Sequence, residues 1–180
     1  MKNAILTGAS MIALAIAAPA FAQDINNTSD ILQSGNNAAA AVSQSGSDND
    51  SDIDQAGSTA TDSTFTSGLN AGRSVVANVM QAGTDGRSKV DQSGRRQIAT
   101  VNQLAGSNGM ESEIKQRGIS QSAIVTQSGT NTSDDTNSSI DQDGLGQRAV
   151  VNQTGDSESI IFQRNQNNEA EVIQTGEGNF

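Results

Sequence analysis

Small, β-branched and amide residues alternate with other residues in short runs along this chain, and the runs recur at a nearly constant distance. The stretch SSIDQDGLGQRAVVNQTG, residues 138–155, shows the unit twice. Each half sets a small residue, a β-branched residue and Gln at alternate positions, and Gly follows two residues later. These glutamines mark the chain at Gln33, Gln44, Gln55, Gln81, Gln92, Gln103, Gln116, Gln127, Gln142, Gln153, Gln163 and Gln174, mostly eleven residues apart. Two marks lack the Gly at that distance: Gln103 is followed by Leu-Ala-Gly and Gln163 by Arg-Asn.

The residues before the marks sort into two alternating kinds. One has Ser four residues upstream and Ile or Val two upstream: Ser29 with Ile31, Ser51 with Ile53, Ser88 with Val90, Ser112 with Ile114, Ser138 with Ile140, and Ser159 with Ile161. The other has Ala and Val: Ala40 with Val42, Ala77 with Val79, Ala99 with Val101, Ala123 with Val125, Ala149 with Val151, and Ala170 with Val172. The repeat is therefore a pair of halves, about 22 residues, occurring six times: roughly 29–46, 51–83, 88–106, 112–129, 138–155 and 159–176. The second pair is stretched by 15 residues between Gln55 and Gln81, where Asp62-x-Thr64-x-Thr66-x-Gly68 reads as a worn half-repeat.

Eleven residues also make three helical turns. Ten glycines two residues after the marks rule a helix out, since each costs about 1 kcal/mol in a helix interior. Alternation at period two, bounded by Gly and Asn/Asp clusters, predicts strands of about five residues with the named residues on one face. Two strands and a turn make one rung, too thin to hold alone. The fold class that follows is all-β: a parallel β-solenoid of about six strand-turn-strand rungs with cross-β stacking, in which equivalent positions lie ~4.8 Å apart.

That stacking explains the glutamines. Glutamates ~5 Å apart would repel by about 3 kcal/mol per neighbour at an effective dielectric of ~20. An amide carries both donor and acceptor, so a buried column of amides can bond to itself. The 36 residues named above as glutamine marks and their two partners are thus the candidate amyloid-core ladder. Charges belong outside, and the position before the first Gln of each rung reads Leu32, Asp54, Asp91, Lys115, Asp141, Phe162, which predicts Lys115 between two aspartates. With no capping element recognised at either end, both edges of the stack are expected to be open to a further copy.

Composition narrows the function. Of 180 residues with net charge -10, none is Cys, His, Trp or Tyr and only 2% are aromatic, so a conventional core cannot be assembled. The commonest general base, the thiol nucleophile and the usual zinc ligands are missing, and the chain is expected not to be an enzyme. No cofactor, metal or small-molecule substrate is expected. The acidic balance makes nucleic acid a poor partner. Asp48 to Asp54 lacks the Gly and closing Glu of a calcium loop, and the Thr59-x-Thr61 and Thr64-x-Thr66 pairs occur only once, too few for an ice-binding ladder. Lys2, the apolar run Ile5 to Ala18, and Ala20-Phe21-Ala22 before Gln23 read as a secretory signal peptide spanning 1–22, leaving a repeat domain of 23–180. The apolar run is short of the ~20 residues that span a bilayer.

The stretches SDILQSGNNAAAAVSQSG, ESEIKQRGISQSAIVTQSG and ESIIFQRNQNNEAEVIQTG resemble the curlin repeat of bacterial curli subunits. Amides midway between marks strengthen the likeness at Asn49, Gln97, Gln121, Gln147 and Asn168, with Ala38 and Gly86 as departures. The resemblance implies an extracellular, cell-surface functional amyloid fibre contributing to biofilm matrix, adhesion and aggregation. It also implies a nucleating minor subunit and a dedicated outer-membrane secretion pore as partners; the acidic balance is more like a major subunit. Enteric curlins have five repeats and a longer segment before the first, which is almost absent here. The rival reading is a monomeric secreted β-solenoid that binds a surface, ice or polysaccharide through one flat face.

Overall fold

The computed structural model describes residues 15–16, 26–34, 38–57, 75–104, 108–129, 136–176 and 178. Its described elements are strands: β1 (Ala15–Ile16), β2 (Thr28–Ser34), β3 (Ala38–Gln44), β4 (Asp50–Gly57), β5 (Val75–Gln81), β6 (Arg87–Arg95), β7 (Gln97–Gln103), β8 (Glu111–Ile119), β9 (Ser122–Ser128), β10 (Asn137–Leu145), β11 (Arg148–Thr154), β12 (Glu158–Gln166) and β13 (Glu169–Thr175). They form two parallel sheets, ordered β2-β4-β6-β8-β10-β12 and β1-β3-β5-β7-β9-β11-β13. The Ser-x-Ile halves fill the first sheet and the Ala-x-Val halves the second. The described residues form a β-solenoid of six stacked rungs.

Register follows the sequence marks without a slip. Ile114 pairs with Val90 on one side and Ile140 on the other, Ile140 in turn with Ile161, and Val125 with Val101 and Val151. A slip of one residue would turn every β-branched side chain outward, so burial of one face fixes the pairing. Rung two stacks directly between its neighbours, β4 on β2 and β6, β5 on β3 and β7. The worn half-repeat within 58–74 lies outside the described residues.

The strands β2 to β13 are seven to nine residues long where the spacing predicts about five. Parallel pairing continues through the glycine after each mark in the first sheet, as Gly94, Gly118 and Gly144 show. Between the sheets lies a core of Ile, Val and Ala alone, from Ala40 and Val42 on rung one to Ile161 on rung six, with Ile31, Ala170 and Val172 half-covered at the ends. No residue larger than Ile enters it, which is why aromatic residues are dispensable.

Candidate functional site

Two columns of glutamine run the length of the solenoid, one along each sheet. In the first, each Nε2 donates to the Oε1 of the next rung: Gln33 to Gln55 at 2.7 Å, to Gln92 at 2.9 Å, to Gln116 at 2.8 Å, to Gln142 at 2.9 Å, to Gln163 at 2.7 Å. In the second, Gln44 donates to Gln81 at 2.8 Å, and the chain continues through Gln103, Gln127 and Gln153 to Gln174 at 3.0 Å. The remaining hydrogen of each of these amides after Gln33 ties one sheet to the other, as Gln116 to the Ile98 carbonyl at 3.1 Å and Gln127 to the Glu111 carbonyl at 2.8 Å. A backbone carbonyl can only accept, so this second bond fixes which amide atom is nitrogen. Both columns therefore point the same way, with donors towards rung six and acceptors towards rung one.

The glutamines of the interior rungs are buried, while Gln33, Gln44 and Gln174 on the terminal rungs are half-buried. The β-branched members behave alike: Ile53, Val90, Ile114 and Ile140 are fully buried, and among the terminal residues Ile161 stays buried under Ile140 whereas Ile31 and Val172 are only partly covered. Ile161 belongs to the apolar core cluster with the other members of its column. The alanines are buried from Ala40 to Ala149, and the serines from Ser51 to Ser159, with Ser29 exposed. Ser51, Ser88, Ser112, Ser138 and Ser159 have buried hydroxyl oxygens with no hydrogen-bond partner.

The midway amides, read as one row from sequence, occupy two different corners. Gln97, Gln121 and Gln147 form a third buried ladder between the strands of a rung, linked at 3.0 Å and 3.1 Å. Asn49 belongs to the corner between rungs: its amide nitrogen donates to Asn27 Oδ1, Ser45 O and Gly83 O, and its Oδ1 accepts from the Gly86 amide. That corner continues through the buried Met110, Thr136 and Ser157, whose common signal is a place two residues before each column serine. Their side chains have nothing in common, so no row stands out in the sequence.

Charges lie outside, though their pairing differs from expectation. Asp91, Lys115 and Asp141 do stack in that order. Lys115 Nζ, however, reaches Glu113 in its own strand at 2.8 Å, and Arg117 takes Asp141 at 2.9 Å. Arg148 pairs with Glu169. Long side chains choose among several neighbours on a flat sheet, so column order alone does not settle partners. On the second rung, burial pushes the Asp52 carboxyl above its ordinary value, opposed by Lys89 and reinforced by Asp30, Asp54 and Asp50.

Both ends were expected to be open. Among the described residues β12 and β13 pair on one side only, as does β2, but β1 lies along the outer edge of β3, Ala15 on Ala41 and Ile16 on Val42. Apart from β1, residues 1–22, which the sequence reads as a signal peptide, lie outside the described residues.

Comparison with curated proteins and with solved structures finds no match to this chain. Comparison with protein families does: residues 26–57, which make up rung one and the first strand of rung two, match the family model of the curlin associated repeat.

Proposed function

We propose that the chain is the structural subunit of an extracellular, curli-like functional amyloid fibre, assembling end to end by stacking rung six of one copy on rung one of the next. The observation that carries this reading is the common polarity of the two glutamine ladders. At rung six Gln163 and Gln174 each spend one amide hydrogen on a backbone carbonyl, and the hydrogen that every lower rung gives to the next has no taker among the described residues. At rung one Gln33 and Gln44 offer the matching acceptors. The ends are complementary, and a contact of that kind does not close on itself, so it propagates as a filament. The 36 ladder residues form the fibre core in this reading, residues 1–22 are removed on secretion, and the fibre serves matrix cohesion, adhesion and aggregation. A nucleating minor subunit and an outer-membrane pore are the partners that the curlin repeat suggests.

Fibre diffraction tests it. The fibre should give reflections at ~4.7–4.8 Å along its axis and ~10 Å across it, and sheared fibres should seed fresh chain without a lag. A chain that stays monomeric at high concentration and cannot be seeded is instead the surface-binding solenoid.

A further inference from the structure

One outward column of the first sheet is charged in the middle and apolar at both ends. Along it lie Leu32, Asp54, Asp91, Lys115, Asp141 and Phe162, one to a rung. Leu32 is 46% exposed and Phe162 67%. The outward column beside it runs Asp30, Asp52, Lys89, Glu113 and Ser139 before ending in Ile160, which is 55% exposed. Single exposed apolar side chains are ordinary on a protein surface. Here two of them close one charged column from opposite ends. Within one chain Leu32 and Phe162 are separated by five rung steps. At ~4.8 Å a step that is about 24 Å, so they cannot cover each other.

We propose that Phe162 of one copy and Leu32 of the next form an apolar clasp on the outer face of the junction, reinforcing the register that the glutamine ladders set. This rests on the end-to-end assembly inferred above and assigns a contact that aligns it. The strands that carry the two residues, β12 and β2, pair on one side only among the described residues, and β1 lies in the other sheet. When the register continues into a second copy, Glu158 meets Thr28, Ile160 meets Asp30, Phe162 meets Leu32 and Arg164 meets Ser34. No like charges are opposed there, although within the chain Asp30 stacks on Asp52 and Asp54 on Asp91. A slip of two residues keeps the same faces inward but spoils this match. One such slip sets Glu158 against Asp30; the other sets Phe162 against Asp30 and Arg164 against Leu32. Of the three registers, only the continued one joins two apolar side chains without opposing like charges.

The chain has no cysteine, so a designed pair of thiols reports the contact directly. Residues paired across stacked parallel strands lie ~4.8 Å apart, within the Cα range of a disulfide. Fibres of the Leu32→Cys, Phe162→Cys double variant, once oxidised, should run as a ladder of covalent dimers, trimers and longer species that reduction collapses to monomer. Fibres of either single variant should stay monomeric on the same gel. Cross-linking by Phe162→Cys alone would mean that two rung-six faces meet. That result, or double-variant fibres that do not cross-link, overturns the clasp while leaving end-to-end assembly intact. Should the thiols impair growth, the soluble chain left at the plateau of seeded growth decides. Leu32→Ser, Phe162→Ser and their combination should each leave about fivefold more than wild type, the size of one cross-strand pair, because the second change removes nothing further. Losses that multiply to about twenty-fivefold in the combination, or no loss in either single variant, overturn the clasp as well. If wild type cannot be seeded, assembly itself fails and the clasp with it.

Discussion

Gln127→Glu changes one atom's chemistry at almost constant volume in the middle of a ladder, and the structure gives the size of the effect. Gln127 Nε2 donates to Glu111 O at 2.8 Å, Thr136 O at 2.9 Å and Gln153 Oε1 at 3.3 Å, and its Oε1 accepts from Gln103 Nε2 at 3.1 Å. A carboxylate keeps only the last of these and turns an oxygen towards three others. Two hydrogens are lost at a fully buried site, and leaving buried acceptors short costs about 1–3 kcal/mol each, so a penalty of about 4 kcal/mol is expected at neutral pH. At about 1.4 kcal/mol per factor of ten, the soluble chain in equilibrium with fibres should rise by roughly a thousandfold.

The penalty should also depend on pH, with a definite sign. Burial raises the pKa of the new carboxyl, by up to ~3–5 units for a fully buried group. The stacked state then binds the proton more tightly than the free chain does, so the variant recovers as pH falls, and the protonated carboxyl regains one donor. Ser128→Glu adds the same charge one residue away, where the hydroxyl is half-buried and 3.0 Å from Thr154 Oγ1; its loss of about 1 kcal/mol should change little with pH. Soluble chain above fibres is measured for both variants from about pH 7 to about pH 4. Equal losses, or a gap between the variants that does not narrow in acid, would refute the inside assignment of the glutamines.

Three further outcomes follow from the same coordinates. Gly118→Ala places a β-carbon 2.1 Å from the Gly144 carbonyl oxygen at φ 120° and should cost about 3 kcal/mol or more in denaturation, whereas Gly178→Ala, at φ 71° with nothing within 4 Å, should cost about 1 kcal/mol. Ser112→Ala removes a buried hydroxyl without a partner and should be neutral or stabilising by about 1 kcal/mol; a loss greater than that would show that the hydroxyl is bonded. Asp52 has its carboxyl pushed above 3.8, so its contribution to stability falls as pH rises from 3.8 through the raised value. Asp52→Asn should therefore gain on wild type as pH rises from 3.8 through the raised value, and a gap constant in pH would contradict the shift.

Most of the fold was legible because a stacked solenoid repeats each residue's surroundings, so Ile114, Ile140 and Ile161 meet the same demand and are the same residue. The glutamine columns were legible for the same reason: a position that must bond to its own copy admits few side chains. What stayed hidden lies at the corners. Asn49, Met110, Thr136 and Ser157 share a column but not a chemistry, because that corner needs filling rather than self-pairing, and each rung fills it differently. Surface pairing was hidden too, since Lys115 has Asp91, Asp141 and Glu113 within reach of its register and takes the one on its own strand.

The terminal rungs carry the energetic case for growth. Stability in a stacked array is a sum of nearest-neighbour terms, and an interior rung has two neighbours. Ile114 and Ile140 are fully buried, while Ile31 at one end is half-buried, and at the other Val172 is half-buried beside a buried Ile161. Two amide bonds at about 1 kcal/mol each cannot offset the ~4–15 kcal/mol of lost freedom on association. The apolar area still exposed over Ile31 and Val172, with the outer edges of β2, β12 and β13, which pair on one side only among the described residues, has to supply the rest. A chain folding alone must order six rungs and leave both ends incompletely covered, whereas a chain adding to a fibre folds against a finished rung and leaves only one end so. In the proposed fibre, folding and docking are therefore coupled, and the lag before growth measures the first event. Shearing fibres to multiply ends should shorten that lag in proportion to the number of ends. A lag that depends on chain concentration but not on added ends would mean that growth does not proceed from the terminal rungs.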